Sequence, residues 1–151
     1  MFEFFRRHER FWRFVPFFFW ILLIFFNSTS NGSMNETSRF LRPLLEFFFP
    51  DSSAQTLTQY HGYIRKIAHL GEYGALGYLG ARLFRGEKRI VFHKFYGCFA
   101  LISVFVVASL DELYQSFNPL RTGTYRDVIL DCIGGFIAVL AYKVLVNFQK
   151  N

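Results

Sequence analysis

Four windows of this chain each approach the ~20 apolar helical residues that cross a hydrocarbon core of ~30 Å. They cover about residues 11–26, 64–84, 92–110 and 128–146. A water-soluble domain is excluded by composition: 52% of the 151 residues are apolar and 21% aromatic, with 22 Phe. A fold of this length has too little interior for so much greasy surface, so lipid is the expected solvent. The predicted fold class is all-α, a polytopic membrane protein with four transmembrane helices in a single membrane domain over residues 1–151. Pro16 falls in the first window and is expected near a helix start, where proline costs little. Basic residues precede that window, as in a signal peptide, but no small-x-small cleavage site follows in "FFNSTSNGS", so it is read as a retained span.

The net charge of +6 does not point to nucleic acid, because the basic residues sit where a membrane protein keeps them. Arg6, Arg7, Arg10 and Arg13 precede the first span; Arg82, Arg85, Lys88, Arg89 and Lys94 lie between the second and third; Lys143 and Lys150 close the fourth. With four spans all three clusters share one side, which the positive-inside rule makes cytoplasmic, together with both termini. Cys98 and Cys132 fall at different depths, too far apart to bridge, and are read as packing residues.

The long connection, residues 27–62, opens with the polar run "NSTSNGSMNETS". Its three Asn-x-Ser/Thr sequons, at Asn27, Asn31 and Asn35, are read as composition. In the following "ETSRFLRPLLEFFFPD", Phe40, Leu41, Leu44, Leu45 and Phe48 recur at helical spacing. Such a segment either lies flat in the outer interface or packs over the mouth of the bundle. Leu57, Tyr60, Ile64 and Ala68 then extend the period of the second span, predicting one long helix over residues 53–84. Between the last two spans, "SFNPLRTGTYR" makes a tight hairpin. Closely spaced small residues, Gly71, Gly74, Ala75, Gly77, Gly80 and Ala81 in one span and Gly134, Gly135 and Ala138 in another, predict close packing of spans two and four.

The second span carries ionisable groups that lipid should reject. At 100° per residue, Arg65, Lys66, His69, Glu72 and Tyr73 share an arc of about 120°. Asp111, Glu112 and Gln115 share a face at or just beyond the outer end of the third span, and Asp127 and Asp131 stand one turn apart at the outer end of the fourth. A charge at mid-span costs at least ~2.5–3.5 kcal/mol, so such groups turn inward and pair. The set converges at one depth, with Arg121 and Arg126 beside it. It reads either as an ion-pair network fixing helix register or as a polar pocket open to the outer leaflet.

Within the pocket, Glu72 or Asp111 could act as general base with His69 as partner, while Lys66 and Arg121 hold a phosphate. His69 with hard carboxylates is a weak metal signal, so no metal and no cofactor are expected. Non-catalytic binding of a membrane lipid or lipid-linked amphiphile is the other reading. The expected ligand-binding residues are Lys66, His69, Glu72, Tyr73, Asp111, Glu112, Gln115, Arg121, Asp127 and Asp131.

The two stretches "KIAHLGEYGALGYL" and "LDELYQSFNPLRTGTYRDVILDCIGG" resemble the VanZ-like family of small bacterial membrane proteins. The resemblance rests on Lys66, His69, Glu72 and Tyr73 in one helix, Asp111, Glu112 and Gln115 before a turn with Pro119 and Arg121, and Asp127 leading a helix with Gly134. It covers roughly residues 60–142. It implies a four-span protein of the bacterial plasma membrane, in a family whose named member is linked to teicoplanin resistance. The chain departs from the family pattern at Leu120, usually Gly, and at Asp131, usually Asn, which adds an acid to the pocket.

Overall fold

The computed structural model describes residues 2–29, 34–119 and 123–149, among which there are six helices and no strand. They are α1 (Phe2–Ser28), α2 (Met34–Phe48), α3 (Ala54–Arg85), α4 (Ile90–Lys94), α5 (Tyr96–Ser116) and α6 (Tyr125–Phe148). Three of them contain stretches long and apolar enough to cross a membrane: Glu9–Ser28, Tyr96–Ser116 and Tyr125–Phe148. The longest helix, the 32-residue α3, is not among the three. It is instead the hub, packing on α6 most extensively, then on α5, α1 and α2. Of the ionisable groups that lower its hydropathy, His69 is turned toward the packed helices while Lys66 and Arg82 are exposed.

Small residues let this hub form. A Cβ on Gly77 would fall 2.7 Å from the Gly135 carbonyl oxygen and 2.9 Å from its Cα, so α3 and α6 meet backbone to backbone. The expected proximity of the second and fourth windows is therefore seen. Beside this crossing Tyr73, Leu76, Val104 and Ala108 are completely enclosed, and Phe17 and Ile24 of α1 complete the core. The outward sides of α1, α5 and α6 expose Phe18, Phe19, Leu22, Ile102, Phe105, Phe136 and Ile137. Water would penalise that surface; hydrocarbon would not.

Helix boundaries follow local chemistry. Ser53 caps α3 by accepting from the Thr56 amide at 3.2 Å, which puts the start of the long helix where the sequence predicts it. Three expectations need correction. Pro16 is not near a helix start: α1 begins at Phe2 and runs through the proline, as helices in an apolar environment can. The third window is also not one helix. Phe95, at φ −108° and ψ 28°, separates α4 from α5, and α5 continues to Ser116, so Asp111, Glu112 and Gln115 lie inside it. Both cysteines are free, and Cys98 is exposed rather than packed.

Described basic residues of the first two clusters meet at one end of the bundle. Arg10 lies 3.6 Å from Glu87, Arg85 stands over the Tyr142 ring, and Arg13, Arg82, Arg85 and His93 line a cavity of about 700 Å³. The connection between α1 and α3 occupies the opposite end. There α2 docks on α3 alone, burying Leu45 while Phe40, Phe47 and Phe48 face away from the bundle.

His61 fixes this docking. Its ring is buried, with Nε2 3.0 Å from the Thr37 hydroxyl and Nδ1 3.1 Å from that of Ser38. Burial, and secondarily the nearby Arg65 charge, hold its pKa below the ordinary 6.5. Between that lowered value and 6.5 the opened state binds more protons than the docked one, so docking strengthens as pH rises. The contribution is complete above about 6.5 and is lost as pH falls through the window. The protection of α2 amides relative to their intrinsic exchange rates should therefore fall between pH 7.5 and 5, and His61→Gln should remove that dependence.

Candidate functional site

At the α2 end of the bundle, α3, α5 and α6 bring acids together around one histidine. Asp111, one turn before the end of α5, is 2% exposed. Its Oδ2 accepts from the Tyr73 hydroxyl at 2.9 Å and from Gln115 Nε2 at 3.1 Å, while Oδ1 has no hydrogen-bond partner. Next to it Glu112 is 5% exposed. Its Oε2 accepts from the Thr124 amide at 2.8 Å, and Oε1 is unpartnered. From α6, the fully buried Asp131 sets Oδ1 3.4 Å from His69 Nδ1, too long for a good hydrogen bond. Both of its oxygens lack a hydrogen-bond partner. One ligand atom each from His69, Asp111 and Glu112 lie within 4.8 Å of one another.

Local folding explains these positions. His69 and Tyr73 are one turn apart on α3, with rings stacked at 20° and centroids 6.3 Å apart, and so reach the same space. Thr124 is the N-cap of α6. Its Oγ1 accepts from the Asp127 amide at 3.4 Å and donates to Asp127 Oδ2 at 2.8 Å, so Asp127 completes a cap. Gly123 is needed here because a Cβ would meet the Glu112 carbonyl and, at 2.9 Å, the Ser116 nitrogen. This contact fastens the hairpin to α5 and brings the Thr124 amide to Glu112.

Of the ten residues expected to bind ligand, the structure gathers His69, Tyr73, Asp111, Glu112, Gln115 and Asp131. Glu72 is close by but turned to α1, where Asn27 Nδ2 donates to its Oε1 at 2.9 Å. Asp127 serves the cap, and Lys66 is exposed. Arg121, with Leu120, lies outside the described residues. The family model VanZ/LLP1 matches residues 12–146 of the chain. The chain belongs to the VanZ/LLP1 family. No curated protein and no solved structure matches it.

The VanZ/LLP1 match extends well beyond the two motifs that carried the resemblance, taking in α1 and α2. Two contacts of α1 went unread in the sequence. Trp20 Nε1 donates to the Glu72 carbonyl at 2.8 Å, and Asn27, read as part of a polar exit, holds the Glu72 side chain. A polar amide at the end of an apolar run was the available signal. The third missed residue is Thr124, whose backbone amide does the work; no side-chain pattern announces that. Among the described residues His69 and Asp131 form the only ion pair of this VanZ/LLP1 site, while the half-buried Arg65 feels the charges of Asp127 and Glu112.

Proposed function

We propose that this VanZ/LLP1 protein spans the bacterial plasma membrane four times, with α3 as the second span and both termini cytoplasmic. On this reading α2 lies in the outer interface, and the buried acid cluster, facing the extracytoplasmic side, binds the head group of a lipid, lipid-linked precursor or lipoglycopeptide. The observation that carries the proposal is the set of buried oxygens on Asp111, Glu112 and Asp131 that have no hydrogen-bond partner among the described residues. A network built only to hold helices together would pair its charges, because an unpaired buried charge costs several kcal/mol. Carboxylates left in this state demand a positive group, either an amine carried by the head group or a cation held beside it. Occupancy by such a ligand would alter susceptibility to teicoplanin.

The test is lipid mass spectrometry on the protein extracted into native nanodiscs. One amphiphile class should be enriched over the bulk membrane, and the enrichment should vanish in the double variant Asp111→Asn, Glu112→Gln. Identical lipid profiles for parent and variant would defeat the proposal. A second reading, a hydrolase or transferase acting on the same head group, is favoured by the His69–Asp131 pair, since a histidine facing a carboxylate is how a general base is oriented. It requires a new lipid species that accumulates with the parent and not with His69→Gln.

A further inference from the structure

Asp111 and Glu112 are gripped in the same manner: one oxygen of each is fixed by donors, and the other is buried with no hydrogen-bond partner among the described residues, in a cluster where one ligand atom each of His69, Asp111 and Glu112 lie within 4.8 Å of one another. Tyr73 and Gln115 hold Asp111 Oδ2, leaving Oδ1; the Thr124 amide holds Glu112 Oε2, leaving Oε1. A carboxylate that has only to be tolerated in the interior gains nothing from keeping a naked oxygen there, and each such atom carries a desolvation penalty. Carboxylates that ligate a metal look like this, because outer donors orient them while the ligating oxygen waits for the ion.

We infer that His69, Asp111 and Glu112 hold a divalent transition-metal ion. This deepens the proposed function and rests on it in one respect: the ion is the positive group held beside the ligand's head. Metal ligands at ~2.0–2.2 Å from one ion lie at most ~4.4 Å apart, so the present spacing, within 4.8 Å, closes by small side-chain rotations. Asp131 is a positioning residue. With its Oδ1 facing His69 Nδ1 it supplies the carboxylate that orients a ligating imidazole and raises its basicity. Among the described bases, Lys66 and Arg126 are exposed and form no ion pair, and the half-buried Arg65 feels the charges of Asp127 and Glu112 without forming a salt bridge to either.

The donor set indicates the ion. An imidazole beside carboxylates suits Zn²⁺, Mn²⁺ or Fe²⁺ better than Ca²⁺ or Mg²⁺, which take oxygen alone. Three protein ligands also leave at least one coordination position open, as in zinc sites that receive a water or a substrate oxygen. A phosphate or carboxylate oxygen of a head group is the chemistry that position would accept. A lone histidine among carboxylates is a weak signal in the sequence; the geometry supplies the second observation, buried oxygens without partners on two acids whose ligand atoms gather within 4.8 Å of the histidine's.

Metal content of the protein purified without chelator, followed by stripping and titration with Zn²⁺ and Mn²⁺ in separate calorimetric runs, tests the inference. Saturable, stoichiometric binding of one of them is expected, together with its loss in His69→Gln and in Glu112→Gln. Asp131→Asn should weaken affinity by about 10- to 100-fold while leaving helicity by circular dichroism unchanged. Glu46→Gln, an exposed acid on α2, should bind as the parent does. If the folded parent binds neither ion, or if binding survives both ligand substitutions, the inference is overturned. Lipid enrichment measured on stripped protein separates the two ideas: enrichment without any metal binding sinks the ion and keeps the amphiphile, and stoichiometric metal without enrichment does the reverse.

Discussion

Gly77→Leu should prevent the bundle from assembling, the largest effect we expect from any single substitution outside the polar cluster. Its Cβ would sit 2.7 Å from a carbonyl oxygen and 2.9 Å from a Cα of α6, and backbone atoms cannot rotate away as a side chain can. Overpacking in ordinary cores costs about 1–3 kcal/mol where side chains can adjust, so alanine at this position already falls near the top of that range. Leucine adds three carbons more at the most extensive helix contact in the structure, enough to consume much of a typical ~5–15 kcal/mol stability. Gly71 is the control. A Cβ there meets nothing within 4 Å, so Gly71→Ala should raise stability by about 0.5–1 kcal/mol through helix propensity alone. Thermal melts in detergent followed by size exclusion distinguish these outcomes; a Gly77→Leu protein melting with the parent would falsify the close packing of α3 on α6.

Asp111→Asn should change sign with metal. In chelator, the substitution keeps an acceptor for Tyr73 and Gln115 and puts an amide donor where Oδ1 stood bare among acids. Relief of an unsatisfied buried acceptor amounts to about 1–3 kcal/mol, so the variant should melt above the parent. With Zn²⁺ or Mn²⁺ added, the parent gains stability from the bound ion and the variant does not, so the order reverses. A purely structural network predicts a large loss in both conditions, because breaking a buried pair costs roughly 3–5 kcal/mol. The same pair of melts therefore decides whether the charges exist for the fold or for a ligand.

Much of this arrangement was legible before any coordinates. Small residues announced the α3–α6 contact because in lipid only they allow backbones to touch, and helical phase placed His69 and Tyr73 on one side with Asp111 opposite. What stayed hidden depended on partners. Nothing about Lys66 distinguishes it from His69 by spacing, yet one faces out and the other in, since a small rotation of α3 about its axis decides which neighbours a residue meets. Asp127 looked like a pocket acid, and local capping claims it. The split at Phe95 was also missed, although His93 and Lys94 just before it and Gly97 just after it interrupt the apolar run there and were the available signal. The bare oxygens could not be foreseen either, because satisfaction of a buried atom is a property of geometry.

The bond from Trp20 to the Glu72 carbonyl gives the molecule its own optical probe. The chain has two tryptophans, and the other, Trp12, is exposed about two turns earlier on α1, so the two indoles sample different surroundings. Glu72 is one turn beyond His69 on the same helix, and a shift of that turn on filling the cluster would reach the Trp20 ring directly. With Trp12→Phe to silence the background, emission from a single half-buried indole becomes a titration signal that needs no label and no knowledge of what binds.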